Sequence, residues 1–83
     1  MEWDEDKSAK VKAERGASFE DIATALHEGG FIDLIDNPAR TGQSFLIVRC
    51  KGDVWAAVIE WRGKVARIVT AYPSRKMRKK YEK

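Results

Sequence analysis

Residues 54–61 (VWAAVIEW) and 64–72 (KVARIVTAY) are two runs rich in apolar, β-branched and aromatic side chains, separated only by Arg62-Gly63. Two such runs around a two-residue, glycine-containing connection specify a β-hairpin, and nothing else in the chain limits its possible folds as much. With Trp61 opposite Lys64, period-two alternation puts Trp55, Ala57, Ile59, Ala66, Ile68 and Thr70 on one face of the ribbon. Val54, Ala56, Val58, Glu60, Val65, Arg67 and Val69 fall on the other. Both faces are mainly apolar, so both are expected to be covered. The second also carries one charge of each sign, Glu60 and Arg67. A charge within a strand costs free energy unless it is paired or used, which singles out Arg67.

Upstream of the hairpin, residues 44–50 (SFLIVRC) have strand composition, and Lys51-Gly52-Asp53 turns them into it, so the minimum sheet is a three-stranded antiparallel meander. Residues 31–36 alternate imperfectly and read as a short strand or edge segment before the loop at 37–42. Two helices precede them. The first is capped by Asp4 or Asp6 and runs to about Arg15 before Gly16; its apolar positions are only Ala9, Val11 and Ala13, and a pair such as Asp6 with Lys10 would support it. The second has Ser18 as N-cap with Asp21 three residues on, puts Phe19, Ile22, Ala23 and Leu26 at core-facing spacing, and ends at Gly29-Gly30. After Pro73, Ser74 can cap a helix over about 75–82 whose apolar positions, Met77 and Tyr81, lie four apart. The expectation is one α+β domain over residues 1–83: two N-terminal helices packed on one face of an antiparallel β-sheet of at least three strands, with a short C-terminal basic helix.

The net charge of +3 is concentrated in that tail. Residues 74–83 hold six Lys/Arg against one Asp/Glu, whereas residues 1–73 hold ten against twelve. Arg75, Lys76, Arg78, Lys79, Lys80 and Lys83 form a cationic patch suited to RNA or DNA, though a solvated terminal helix is an equal reading. One cysteine, Cys50, and one histidine, His27, exclude an internal disulfide and the usual zinc clusters. That usage fits a reducing cytoplasm, and neither a signal-peptide pattern nor a run of membrane-spanning length is present. His27 reads as a surface residue, Asp33 and Asp36 as solvated carboxylates, and Gly29-Gly30 lacks the Gly-Lys-Ser/Thr of a phosphate loop. The chemistry that remains rests on Arg67, Arg75, Lys76, Arg78 and Tyr81. Such a set can cleave RNA, where the 2′-hydroxyl is the nucleophile and the protein orients it and stabilises the phosphorane. Arginine holds phosphate but keeps its proton, so the acid or base would be Tyr81, a lysine or Glu60. The plainer reading, in which Arg67 pairs with Glu60 and Tyr81 packs the tail onto the sheet, stands beside it.

Several short segments, in order, are similar to the BrnT family of bacterial type II toxins, which have a RelE-like ribonuclease fold. They are Glu2-Trp3-Asp4 followed by Lys7, then residues 12–21 (KAERGASFED), where that family has Lys-His-Gly and then Ser-Phe-Glu, then Arg67-Ile68-Val69-Thr70-Ala71 and a basic helix ending in Tyr81. Arg15 stands where many members have histidine, Met77 falls near the glutamate of the family's terminal helix, and residues 72–76 (YPSRK) depart from its usual Ala-Arg continuation. The resemblance implies a metal-independent endoribonuclease, without cofactor, that inhibits translation and growth. By it, Arg67 contacts the scissile phosphate and Tyr81 orients the 2′-hydroxyl or stacks on a base. Arg75, Lys76 and Arg78 hold RNA, and Arg15 lies on the rim. It further implies a cognate antitoxin, a small dimeric DNA-binding protein of ribbon-helix-helix or similar type. The alternative is a non-catalytic module that binds nucleic acid or an acidic protein through its basic tail.

Overall fold

The computed structural model describes residues 1–81, so the outer part of the expected terminal helix, with Lys83, lies outside the described residues. The chain runs α1 (Glu5–Arg15), α2 (Phe19–Ala25), β1 (Phe31–Asp36), β2 (Gln43–Cys50), β3 (Asp53–Arg62), β4 (Val65–Pro73) and α3 (Arg75–Tyr81). The sheet is an antiparallel meander of four strands in the order β1-β2-β3-β4, with the segment at 31–36 as its edge strand. The α+β class and the short C-terminal helix are as expected; the helical part differs slightly, a wider turn over Leu26–Gly30 following α2.

Local signals place the helices. Asp4 accepts from the amides of Asp6 and Lys7 at the start of α1, and Gly16 ends it at φ 99 by donating to the Lys12 carbonyl. Ser18 and Asp21 form a complete capping box on α2. That box, with Lys51 Nζ at 3.3 Å, holds the Asp21 carboxyl below the usual range, the Ser18 amide being the main cause. α2 closes through a wider turn over Leu26–Gly30, with Gly29 at φ 90. Gly30 then lets the helix end touch β2, because a Cβ there would lie 2.5 Å from the Arg49 carbonyl oxygen and 2.8 Å from that of Ala25.

The face of α1 turned to the sheet differs from the expected one. Ser8 and Val11 are buried, while Ala9 and Ala13 are exposed. Ser8 can occupy the interface because its hydroxyl accepts the Phe19 amide proton at 2.9 Å, satisfying a donor that α2 cannot satisfy within itself. The i,i+4 ion pair of α1 is Lys10 with Glu14 at 4.0 Å.

β3 and β4 pair as Trp61↔Ala66 and Arg62↔Val65, so the connection is Gly63-Lys64 rather than Arg62-Gly63. Gly63, at φ 61, takes the first loop position, where a primed hairpin turn requires positive φ. The shift is two residues, so the faces near the turn survive it: Ile59, Ala66 and Ile68 share one side. Farther along, Val69 is an extra residue on β4, and Val58 faces Thr70 and Ala57 faces Ala71. Beyond this bulge the alternation reverses. Ala71, not Thr70, enters the core and is fully buried.

Each face has its own apolar cluster. Under α1 and α2 lie Val11, Phe19, Ile22, Val48, Trp55, Ile68 and Ala71 with their neighbours. On the opposite face, Ile47, Val54 and Ala56 are covered by Met77 and Tyr81 of α3 and flanked by Ile32, Ile35 and Phe45. α3 therefore forms a partial third layer, which explains why both sides of the hairpin are apolar.

Candidate nucleic-acid interface

α3 begins where Ser74 donates its amide proton to the Val54 carbonyl and accepts the Met77 amide through its hydroxyl at 3.2 Å. Because Met77 and Tyr81 face the sheet, Arg75, Lys76, Arg78, Lys79 and Lys80 are exposed. Arg78 lies 3.6 Å from Asp53, and Lys80 stands over the Tyr81 ring at 5.3 Å. The expected RNA-contacting residues Arg75, Lys76 and Arg78 are thus together on one exposed basic helix.

Tyr81 is committed elsewhere. Its hydroxyl donates to Asp33 Oδ2 at 2.6 Å, pinning the last turn of α3 to β1. This bond is the main reason that the Asp33 carboxyl is lowered, the Leu34 amide adding to it, and that the Tyr81 phenol is raised. A phenol held neutral by a carboxylate is poorly suited to accept a proton from substrate. Asp33, expected to be a solvated carboxylate, is the residue that anchors the tail.

Arg67 is half-buried on β4, on the same face as α3. Its backbone is held between two bonds to Glu2, whose amide donates to the Ala66 carbonyl and whose carbonyl accepts from the Ile68 amide. Across the sheet it lies in a row with Glu60 and Gln43. The expected Glu60–Arg67 ion pair is not formed; Glu60 Oε1 instead meets Arg62 Nε at 3.8 Å. Among the described residues, no carboxylate pairs with the Arg67 guanidinium. Phe45, Val58 and Thr70 form the next row, in which Phe45 and Val58 are half-buried apolar surface.

Arg67 and Tyr81 occupy opposite corners of this face. Three strand spacings and the residue offset from Asp33 separate them by about 20 Å, so they do not act on one bond. Arg15, the expected rim residue, donates to Thr70 Oγ1 at 3.2 Å and the Ala71 carbonyl at 2.8 Å. It ties the end of α1 to the margin of β4. Glu60 was already a candidate proton acceptor in the sequence, but Gln43 and Phe45 were not identifiable there, because their places follow from strand register rather than from any motif.

No group of three or more His, Cys, Asp or Glu is placed to hold a metal ion among the described residues, and no described helix is long and apolar enough to cross a membrane. The chain matches no protein family, no curated protein and no solved structure in comparisons with each.

Proposed function

We propose that this protein is the toxin of a bacterial type II toxin–antitoxin pair, a BrnT-like ribonuclease that arrests growth by cleaving RNA without a metal. One observation carries the reading: Arg67 is half-buried on an open sheet face with no carboxylate pairing its guanidinium among the described residues. An uncommitted guanidinium is suited to a bidentate hold on a phosphodiester.

In the proposed reaction Glu60, cross-strand to Arg67, takes the proton of the ribose 2′-hydroxyl as its oxygen attacks phosphorus. Arg67 stabilises the added charge on the phosphorane. The bond to the 5′-oxygen then breaks, leaving a 2′,3′-cyclic phosphate and, after proton return, a 5′-hydroxyl. Phe45 offers a surface for stacking a base, and the cations of α3 hold neighbouring phosphates. In this proposal Arg75, Lys76 and Arg78 are among those cations, as the resemblance implies. Tyr81 acts through α3 rather than on the substrate. The antitoxin would cover the same basic face, where charge complementarity favours an acidic segment.

Induced expression of the wild-type chain beside Arg67→Ala and Glu60→Gln, with growth and total RNA followed, tests this. Arrest with RNA decay in the wild type, and loss of both by about tenfold or more in each variant, is expected. Normal growth with intact RNA from soluble, folded wild-type protein would overturn it.

The separation of Arg67 from Tyr81 favours a second reading, a non-catalytic module that binds RNA through α3. It requires salt-sensitive RNA binding without turnover, abolished by Arg75→Glu with Lys76→Glu. RNA cleavage that depends on Arg67 would exclude it.

A further inference from the structure

We infer that the helix-bearing face of the sheet carries a second docking site, a groove that receives an amphipathic helix with an apolar stripe and acidic flanks from a partner protein. It lies on the opposite side of the sheet from the Gln43–Glu60–Arg67 row and does not depend on the ribonuclease reading.

α1 and α2 cover only part of their face. Toward the β3–β4 turn the layer stops at Leu26, and a groove of about 210 Å³ remains between it and Trp61. Leu46, Ile59 and Ala66 form its floor. Its walls include Phe31 and Leu34 of β1, which are 52% and 44% exposed, and Trp61, which is 39% exposed. These apolar side chains are contiguous, as interaction sites are, rather than scattered singly over the surface.

The wall is built in advance. The Trp61 indole N–H donates to Ser44 Oγ at 2.9 Å, and the Ser44 hydroxyl donates to Asp36 Oδ1 at 3.1 Å. With Ser44 buried, this chain of bonds fixes the indole at the groove margin and lowers the ordering cost of binding.

Two features select the occupant. The vacancy continues the layer in which α1 and α2 already lie, so a helix packed beside Leu26 completes it. Just beyond the groove, Arg40 shares a surface hollow with Trp61, and Lys64 sits in the turn three residues after Trp61. Among the described residues neither side chain is in an ion pair, whereas Arg62 meets Glu60; Asp36, in the same hollow as Arg40, accepts from the neutral Ser44 hydroxyl, so the two cations outnumber the one carboxylate there. Carboxylates on the incoming helix complement Arg40 and Lys64.

The test is calorimetric titration of the full chain with a synthetic helix bearing leucines at i, i+3, i+4 and i+7 and glutamates on its flanks, beside the same peptide with lysines replacing the glutamates. The acidic peptide is expected to bind saturably and at least about tenfold more tightly than the basic one. Leu34→Glu and, separately, Arg40→Glu with Lys64→Glu are each expected to weaken binding about tenfold, with circular dichroism verifying the fold of both variants. Arg75→Glu with Lys76→Glu, and Arg67→Ala, leave it unchanged, which separates this site from the proposed RNA surface. Absence of saturable binding, equal binding of both peptides, or insensitivity to Leu34→Glu would overturn the proposal. Self-association of the free chain that is lost in Leu34→Glu would also overturn it by assigning the groove to a second copy.

Discussion

Ser8 shows how one polar atom can set the seating of a helix. Its hydroxyl is the acceptor for the Phe19 amide inside the interface between α1 and α2. Ser8→Ala removes little volume but leaves that donor buried and unpaired, so it is expected to destabilise the fold by about 1–3 kcal/mol. Ser8→Thr, which keeps the hydroxyl, should lose less. Chemical denaturation of the pair measures the difference, and an equal loss in both would mean that packing rather than the hydrogen bond is at stake. No periodicity search could have found Ser8, because it counts as polar in any apolar stripe. Asp33 escaped for a similar reason: its partner Tyr81 lies 48 positions away, and only the completed sheet brings the two together.

At the scale of elements, the attachment of α3 is a pH-dependent one whose sign follows from its two ends. The Asp33 carboxyl is lowered in the folded chain, so its contribution is present above the usual carboxylate range and is lost as pH falls through the lowered value. The Tyr81 phenol is raised, so its contribution is present below the usual phenol range and is lost as pH rises through the raised value. The helix end should therefore stay fastened across neutral pH and loosen in acid and in alkali. In Tyr81→Phe, the Asp33 carboxyl resonance followed by NMR should titrate nearer the ordinary aspartate value. An unchanged titration would show that this hydrogen bond is absent in solution. The elements themselves were legible where a local rule governed them, as at the Asp4 cap, the capping box of α2 and the hairpin. The hairpin faces were right only up to Val69, since the bulge there answers to cross-strand packing and has no local signature. The turn lies one residue beyond the place that sequence spacing alone suggests, because the glycine at φ 61 occupies the first loop position and not the second.

Across the whole molecule, the sheet separates two surfaces of different chemistry. One presents Arg67 and the basic α3, and the other presents the apolar groove beside Leu26. If the basic face holds RNA as proposed, that affinity should fall steeply with salt, while affinity of the proposed groove for a helix should change less, because its larger part is apolar contact. Parallel titrations at low and high ionic strength check this, and equal salt dependence would argue against two separate sites. The basic character of the tail was readable from composition alone. The separation of Arg67 from Tyr81 was not, since it depends on which strand is central and on how far α3 crosses the opposite face.

The two margins of the sheet are also unlike. On β4, the Ala66 carbonyl and Ile68 amide are occupied by Glu2 and the Ala71 carbonyl by Arg15, while β1 has no neighbouring strand beyond it among the described residues. Strand addition needs an open run of backbone donors and acceptors, and these contacts interrupt that run over part of β4. Edge-to-edge pairing of intact molecules is therefore expected to run through β1 rather than β4. Glu2 and Arg15 make the β4 margin a poorer template for a further strand than β1.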